Sequence, residues 1–563
     1  MKERFRKTTA SLALLILSII HACGQSGPAA NPATNQKPVA VPSEEVEAHR
    51  VGRPPILRVD LNPRVDSQLA LVGVVVEVTV NPDGEVTSAH TDVQDFYQGI
   101  PSSLGSQVET LVSKMRYRPF ERDGHPVWAT FEERVFVLPP EIKPLWHTRF
   151  PEIGDWNSLV ITFTRTGCFG FCPSYRVEVH ADGTVLYDGK SSVAIRGTHR
   201  CAIPQENVRR LVTEFRNADY FSLRDEYVCG ATDFPTYISS IKFDGHSKQV
   251  KDYVGLVIGM PMAVDDLEES IDGLSEVGRW TKGDADTVGC LQAEKWDFKS
   301  AEAANALAAV AEKGTIDALR DLVAAGVPLN GRDERGETAL SEAAYRGNVE
   351  MLHILLVAGA GKKDPQEIGE AFEAACRSRN SEAMRLLLGA GVPARFVDTR
   401  GRTTLMSAAA SGVPSIVEEV LRKHPDANAH DSDGVTALME AVDQYERDDA
   451  GFSEINRAQV VQILLRAGAD PNARDNNGTT ALIDATWEAD AALALIRAGA
   501  NVNAQDKYGI TALINCDSPE VARVLLANGA DPSIRDSQGK TALDHAREGH
   551  KKEMVAVLSG EKP

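Results

Sequence analysis

Hydrophobic and polar residues alternate along several short stretches near the start of the chain. Residues 74–80 form a run rich in β-branched side chains, the turn sequence 81–84 follows, and the alternation restarts at 85–87. Two such runs around a short Asn-Pro-Asp-Gly turn predict a β-hairpin. A helical spacing follows over 104–115, and alternation returns over 127–137. The pattern predicts a small domain with the element order β-β-α-β, which we place at residues 51–140.

A second mixture of strand and helix patterns follows, and we assign it to residues 141–298. Alternating stretches at 159–165, 175–179 and 237–243 predict strands. The stretch 205–218 has apolar residues at helical spacing on one face. This part of the chain is therefore expected to be a second small α+β domain.

From residue 299 onward the pattern becomes repetitive. The motif D-x-x-G-x-T-x-L occurs six times at intervals close to about 33 residues, and its first residue is Asp333, Asp398, Asp431, Asp475, Asp506 or Asp536. Each copy precedes a helical stretch and then a second helical stretch with Leu pairs. Gly supplies a tight turn, Thr accepts from the first helix amides, and Leu fills the interface between neighbouring helix pairs. The pattern predicts an all-α solenoid over 299–563.

This motif and its spacing resemble the ankyrin repeat. A degenerate copy around Ala371 and Phe372 fills the double interval between Asp333 and Asp398, and a capping copy at 299–331 lacks the turn. About eight units are expected in all. The interval after Asp431 is longer than the others, which predicts an inserted loop at 445–456. That loop is either an insertion without function, tolerated by the fold, or a segment that contacts a partner.

The ankyrin resemblance implies protein–protein interaction through side chains at the variable positions of the repeat. Tyr345 and Trp487 occupy the same exposed place on the first helix of their repeats. The further candidates lie at or beside the tips of the repeats: Arg332, Phe396, His430, Arg474 and Tyr508. Aromatic and Arg side chains are frequent anchors at protein interfaces. Packing against the neighbouring tip is the structural alternative for each.

The first residues have the pattern of a targeting segment. Cationic residues at 2–7 precede an apolar stretch at 12–20, which is too short to cross a bilayer core of about 30 Å as a helix. We therefore expect a signal peptide at residues 1–22. The Gly-, Pro-, Ala- and Ser-rich stretch that follows predicts a flexible tether at 23–50.

The end of this segment, Ile-His-Ala-Cys-Gly, resembles the bacterial lipobox, although His21 departs from the usual small or aliphatic residue. The resemblance implies lipidation of Cys23, and plain secretion is the alternative. Gly24 in place of Asp resembles the signal for transport to the outer membrane. We expect a protein of the bacterial cell envelope whose only contact with the membrane is the N-terminal lipid.

Two further resemblances concern the N-terminal domains. The V-x-V-x-x-x-G-x-V hairpin and the R-x-x-P-x-x-x-x-G-x-P-V stretch of residues 51–140 are similar to the C-terminal domain of the TonB energy-transducer family. That resemblance implies a strand edge able to pair with an extended outer-membrane protein segment, and a purely structural module is the alternative. The stretch Cys-Phe-Gly-Phe-Cys-Pro-Ser-Tyr at 168–175 is similar to a bacterial family of unknown function, which names no activity.

Charge and motif content narrow the function further. The net charge of -20 and a pI near 5.2 disfavour nucleic acid as a partner. The sequence has no G-x-x-x-x-G-K, H-E-x-x-H or G-x-S-x-G motif. We therefore expect a scaffold that binds an unknown envelope protein, with neither catalysis nor a cofactor or metal.

In the oxidising cell envelope expected here, cysteines can form structural disulfides. Cys168, Cys172, Cys201 and Cys229 are expected to form two structural disulfides, with 168–172 and 201–229 as the first choice and crossed pairings left open. A thiol–disulfide redox protein that uses Cys168 and Cys172 is the alternative function, although three residues separate them where thioredoxin-like motifs have two.

Overall fold

The computed structural model describes residues 38–41, 43–51, 54–59, 74–91, 103–122, 125–144, 146–230, 233–393, 396–442 and 455–560. The expected signal peptide, Cys23, the first part of the tether and most of the expected inserted loop lie outside these residues. The chain divides into two compact units, 1–281 and 282–563. Within the described part of the chain, no helix combines the length and the apolar character needed to span a bilayer.

The first sheet of unit 1 is built around the expected hairpin. Its strands are β1 (Val39–Ala40), β2 (Ile56–Arg58), β3 (Val74–Val80), β4 (Val86–His90) and β7 (Ala129–Leu138). The order is β1-β7-β3-β4, and β2 also pairs with β7. Alternate valines of β3 are buried, as a strand with one covered face requires. Helix α2 (Ser103–Val112) contributes Leu104, Val108 and Val112 to the core.

The segment before this sheet differs from the expected tether. Residues 38–50 include β1 and helix α1 (Ser43–His49), and β1 pairs in parallel with β7. Val46 is buried in the core, and the Arg50 guanidinium forms an ion pair of 2.6 Å with the Glu133 carboxylate. These contacts join residues that are distant in sequence, which composition alone does not reveal.

The second sheet of unit 1 has seven strands in the order β11-β10-β9-β8-β13-β14-β12. Its strands are β8 (Val160–Arg165), β9 (Ser174–His180), β10 (Thr184–Ser191), β11 (Gly197–Ala202), β12 (Glu226–Val228), β13 (Tyr237–Phe243) and β14 (His246–Tyr253). A separate two-stranded hairpin, β5 (Phe120–Arg122) and β6 (His125–Val127), precedes them in the chain. All neighbours are antiparallel except β12 and β14. The described N-terminal region is thus α+β.

Two helices pack together beside this sheet, α3 (Gln205–Asn217) and α4 (Met262–Leu274), and the short helix α5 (Gly278–Thr281) follows. The buried residues of α3 are the apolar face read from the sequence. Aromatic side chains fill the core, where the rings of Tyr187 and Trp280 stack at 4.8 Å between centroids.

Unit 2 is helical, and its helices come in pairs. In chain order they are α6 (Thr287–Ala293), α7 (Ala301–Lys313), α8 (Ile316–Ala324), α9 (Ala339–Tyr345), α10 (Val349–Ala358), α11 (Pro365–Arg377), α12 (Ser381–Ala390), α13 (Thr404–Ala410), α14 (Pro414–Leu421), α15 (Ala437–Val442), α16 (Arg457–Arg466), α17 (Ala481–Asp484), α18 (Ala489–Arg497), α19 (Ala512–Asn515), α20 (Pro519–Ala527), α21 (Ala542–Glu548) and α22 (Lys552–Ser559). The first helix of each pair contacts the first helix of the next, so the pairs stack in one direction. Unit 2 begins at residue 282 and includes α6, whereas the sequence pattern predicts a boundary at residue 299.

Candidate functional site

The tips of the repeats show why the motif needs Asp, Gly and Thr. In the first motif copy, Asp333 Oδ1 accepts from the backbone N–H groups of Arg335 at 2.8 Å and Glu337 at 3.0 Å. Gly336 has φ of 84°, a conformation that other residues rarely adopt. The Thr338 hydroxyl then accepts from the Ser341 N–H at 3.1 Å and caps α9. Local hydrogen bonds therefore fix each tip.

The tips of neighbouring repeats are joined through their backbones. The residue after the motif Asp donates its N–H to a carbonyl oxygen of the preceding tip at 2.7–2.9 Å. The donors and acceptors are Ser432 and Arg400, Asn476 and Asp433, Lys507 and Asn477, and Ser537 and Tyr508. From Asp398 to Asp536 the tips therefore form a continuous ladder, which holds their exposed side chains in a fixed spacing.

A second connection uses one Asn side chain in each of three repeats. Asn472 donates its side-chain N–H to the Gly499 carbonyl at 2.9 Å, and its Oδ1 accepts from the Asn501 N–H at 2.8 Å. Asn428 and Asn503 make the same two contacts with the repeat that follows each of them. We call these three side chains the Asn clamps. They bridge adjacent repeats through exposed hydrogen bonds.

The degenerate repeat interrupts the tip ladder. It has no Asp-Gly tip, and α11 starts directly after a short connection, with Asp364 Oδ1 accepting from the Gln366 N–H at 2.9 Å. Gly369 lies inside this helix, and a Cβ atom added there would stand 2.0 Å from a ring carbon of Phe396. Glycine is needed at this position because the Phe396 ring packs directly on the helix backbone.

Phe396 does not have the exposed side chain that the sequence pattern predicts. The sequence placed it among the exposed tip candidates, but its side chain is only 5% exposed and lies against α11. The Phe396 ring packs on α11 at Gly369. A contact of this kind cannot be read from the variable positions of a single repeat.

Two of the Arg candidates have structural contacts. Arg332 donates to the Gly336 carbonyl at 2.7 Å and pairs with the Glu370 carboxylate at 3.0 Å. Arg474 donates to the Gly478 carbonyl at 2.9 Å and to the Gln505 carbonyl at 2.8 Å. Both side chains bind carbonyl groups of their own tip, so the packing alternative explains them.

The aromatic candidates Tyr345, Trp487 and Tyr508 keep large exposed surfaces, and His430 is exposed as well. Trp487 does not lie on a first helix as expected, because α17 ends at Asp484. The Tyr345 side chain is 46% exposed and Tyr508 is 55% exposed. His430 Nδ1 lies 3.0 Å from the carbonyl oxygen of the adjacent Asp431, and the Lys507 ammonium lies 5.3 Å from the Tyr508 ring centroid. These exposed side chains stand on a frame that helix stacking and the tip ladder hold together.

A cleft adjoins Tyr345. Tyr345, Arg346, Arg377 and Ser378 line a volume of about 560 Å³ where α9 and α11 end. The Arg377 guanidinium lies 5.8 Å from the centroid of the Tyr345 ring. Neither Arg residue is among the candidates predicted from the repeat pattern, although Arg346 and Arg377 both stand at the end of a first helix in successive repeats.

A group of titratable side chains centred on Arg335 adjoins this cleft through Glu312, which contacts both Arg335 and Arg346. Its guanidinium contacts the carboxylates of Glu312 at 3.3 Å, Asp333 at 3.1 Å and Glu342 at 2.6 Å. Glu342 is buried, and Oε2 of its carboxylate has no hydrogen-bond partner among the described residues. Burial, together with repulsion from the nearby Glu312 and Asp333 carboxylates, raises the pKa of Glu342 to about 7 against the attraction of Arg335.

The cysteines of unit 1 differ in part from the expected pairing. A disulfide joins Cys168 and Cys172 in the loop between β8 and β9. Cys201 is disulfide-bonded too, but Cys229 is a free thiol, so the expected 201–229 pair is wrong. Spacing along the chain does not fix which strands bring two sulfur atoms together. In unit 2, Cys376 and Cys516 are buried free thiols, and burial raises the pKa of both.

Comparison with known protein families agrees with this architecture. Residues 159–275 match the family described as a domain of unknown function, DUF6438. Ankyrin-repeat families match residues 307–356, 372–451, 433–476 and 495–546. Ankyrin repeats support a role in protein–protein interaction, whereas the TonB-like resemblance of residues 51–140 stays a prediction. The chain therefore carries a DUF6438 domain followed by an ankyrin-repeat array in its C-terminal half.

Proposed function

We propose that this protein is an exported, lipid-anchored scaffold of the bacterial cell envelope whose ankyrin array binds a partner protein. Export and the anchor rest on the cationic and apolar segments before Cys23. Binding without catalysis rests on the absence of catalytic motifs from the sequence and on the ankyrin array. The partner contacts the surface formed by the first helices and the tips.

The observation that carries this proposal is the exposure of Tyr345, Trp487 and Tyr508 on a frame whose other large side chains are mostly buried. Helix stacking and the tip ladder hold the frame before the partner arrives, so little conformational entropy is lost on association. A few aromatic anchors can then supply most of the binding free energy.

The test is affinity capture from envelope extracts with the full-length protein as bait, followed by mass spectrometry. The double variant Tyr345→Ala, Trp487→Ala should lose the partner that the parent protein enriches, because each change removes an exposed aromatic ring. Val357→Ala is the matched control, since Val357 is exposed on a second helix away from that surface. Equal enrichment by all three proteins would refute binding at this surface.

A second candidate site is the edge of the first sheet of unit 1. Strand β4 stands at the end of the strand order, with β3 as its neighbour on one side. An unpaired edge presents backbone N–H and carbonyl groups that can add an extended peptide. A partner that the Tyr345→Ala, Trp487→Ala variant still captures would indicate that binding occurs at this edge.

A further inference from the structure

The cleft beside Tyr345 has a definite chemical character. We propose that the cleft binds an acidic segment of the partner protein, whose Asp or Glu carboxylates pair with Arg346 and Arg377. This inference rests on the proposed function, because it assigns the partner chemistry to one part of the same array surface.

The two guanidinium groups face solvent while the carboxylates that hold them lie deeper. The Arg346 and Arg377 side chains are 46% and 53% exposed. Arg346 pairs with Glu312 at 3.1 Å, and the Glu312 side chain is only 10% exposed. Arg377 lies 3.8 Å from a Glu337 carboxylate oxygen, which is too long for a hydrogen bond. The outer side of the cleft is therefore cationic.

Both guanidinium groups retain hydrogen-bonding capacity. A guanidinium has five N–H donors in a planar fork that fits a carboxylate with two parallel bonds. The contacts with Glu312 and Glu337 each use one nitrogen, Nη2. An incoming carboxylate can therefore bind without displacing Glu312, which also contacts Arg335 and Lys313.

The Tyr345 ring completes the recognition surface. Its face lies near the Arg377 guanidinium, an arrangement that holds the cation beside the ring by cation–π attraction. The exposed part of the ring offers apolar contact for the methylene groups of a Glu side chain. A cleft of about 560 Å³ is large enough for one or two side chains of a peptide.

The position of the cleft in the array supports a specific role. At the register of Tyr345 and Arg346, the degenerate repeat has Arg377 and Ser378, and the next repeat has the uncharged Ala410 and Ser411. Two adjacent Arg side chains are therefore a feature of these two repeats and not of the motif. The local charge of the two Arg side chains favours an acidic ligand over a basic one, although the protein's net charge of -20 opposes it.

The test measures binding of a fluorescently labelled oligoglutamate peptide to the full-length protein by anisotropy at low ionic strength. The double variant Arg346→Gln, Arg377→Gln should weaken binding at least about tenfold, because both charge-assisted contacts are lost. Arg320→Gln is the matched control, since Arg320 is similarly exposed and pairs with Asp317 and Glu350 on a second helix. We expect its affinity to equal that of the parent protein, and added salt should weaken binding by the parent.

Two results would overturn the proposal: equal affinity for oligoglutamine and oligoglutamate, or unchanged oligoglutamate binding in the double Gln variant with its helical circular dichroism intact. Failure of the partner capture is a separate outcome. If the Tyr345→Ala, Trp487→Ala variant loses the partner and the parent protein does not bind oligoglutamate, the array is the binding site but the partner segment is not acidic.

Discussion

Replacing Glu342 with Gln should make the array more stable near neutral pH. In the unfolded chain this carboxyl ionises near pH 4.5, whereas in the fold its pKa is about 7. Between these values the folded state binds more protons than the unfolded state, so rising pH lowers the free energy of unfolding. Below pH 4.5 the protonated Glu342 contributes its full stabilisation of the fold, and this contribution is lost once the pH has risen above about 7. At about 1.4 kcal/mol per pKa unit, the loss is on the order of 3 kcal/mol.

Gln has nearly the shape of Glu and can still accept a hydrogen bond from Arg335, but it carries no charge at any pH. Arg335 also keeps its contacts with Glu312 and Asp333. The variant should therefore avoid the loss that the parent protein suffers. The difference in the free energy of unfolding between Glu342→Gln and the parent is therefore expected to shift in favour of the variant by up to about 3 kcal/mol as the pH rises from about 4 to about 8.

The assay is urea unfolding of the full-length protein, followed by the far-ultraviolet circular dichroism of the helices at both pH values. Glu350→Gln serves as the control because Glu350 is exposed and pairs with Arg320 on the surface. Its effect should change by less than about 1 kcal/mol between the two pH values. A Glu342→Gln difference that is independent of pH, or that falls at high pH, would refute the reasoning. It would mean that the attraction of Arg335 outweighs the cost of burying the charge.

Three further expectations follow from the contacts described above. Phe396→Ala should lower the free energy of unfolding by about 3–5 kcal/mol, because the ring is buried, whereas Tyr508→Ala should change it by about 0.5 kcal/mol or less. Equal losses for the two variants in urea unfolding would contradict this difference in burial. Asn472→Ala should cost about 1–2 kcal/mol because it removes two hydrogen bonds between repeats, and a neutral effect would show that water replaces them. Cys23→Ser should release the protein from membranes, so a variant that still sediments with membranes in high salt would disprove the lipid anchor.

The repeat motif could be predicted because its contacts are local. Asp333, Gly336 and Thr338 make their hydrogen bonds within a few residues, so a short pattern carries the whole structure of the tip. Strand β13 was equally clear, since its alternation shows directly in the sequence. Strand β14, His246–Tyr253, was missed because its residues are mostly polar and only its pairing with β13 and β12 defines it.

The candidate site was harder to predict because it depends on contacts between repeats. Phe396 looks like an exposed tip residue within its own repeat, and only the neighbouring Gly369 shows that it is buried. Arg346 and Arg377 form a cleft because two helices end side by side. The disulfide of Cys201 likewise depends on which elements meet in space, which spacing in the sequence does not specify.

The Asn clamps bear on how such an array can grow. Each clamp uses a side chain from one repeat and only backbone groups from the next, so the second repeat need supply no particular side chain. A duplicated repeat inserted in register brings its own clamp and meets acceptable partners on both sides. Gene duplication can therefore lengthen the array one whole repeat at a time, while an insertion or deletion of part of a repeat leaves a clamp without its backbone partners.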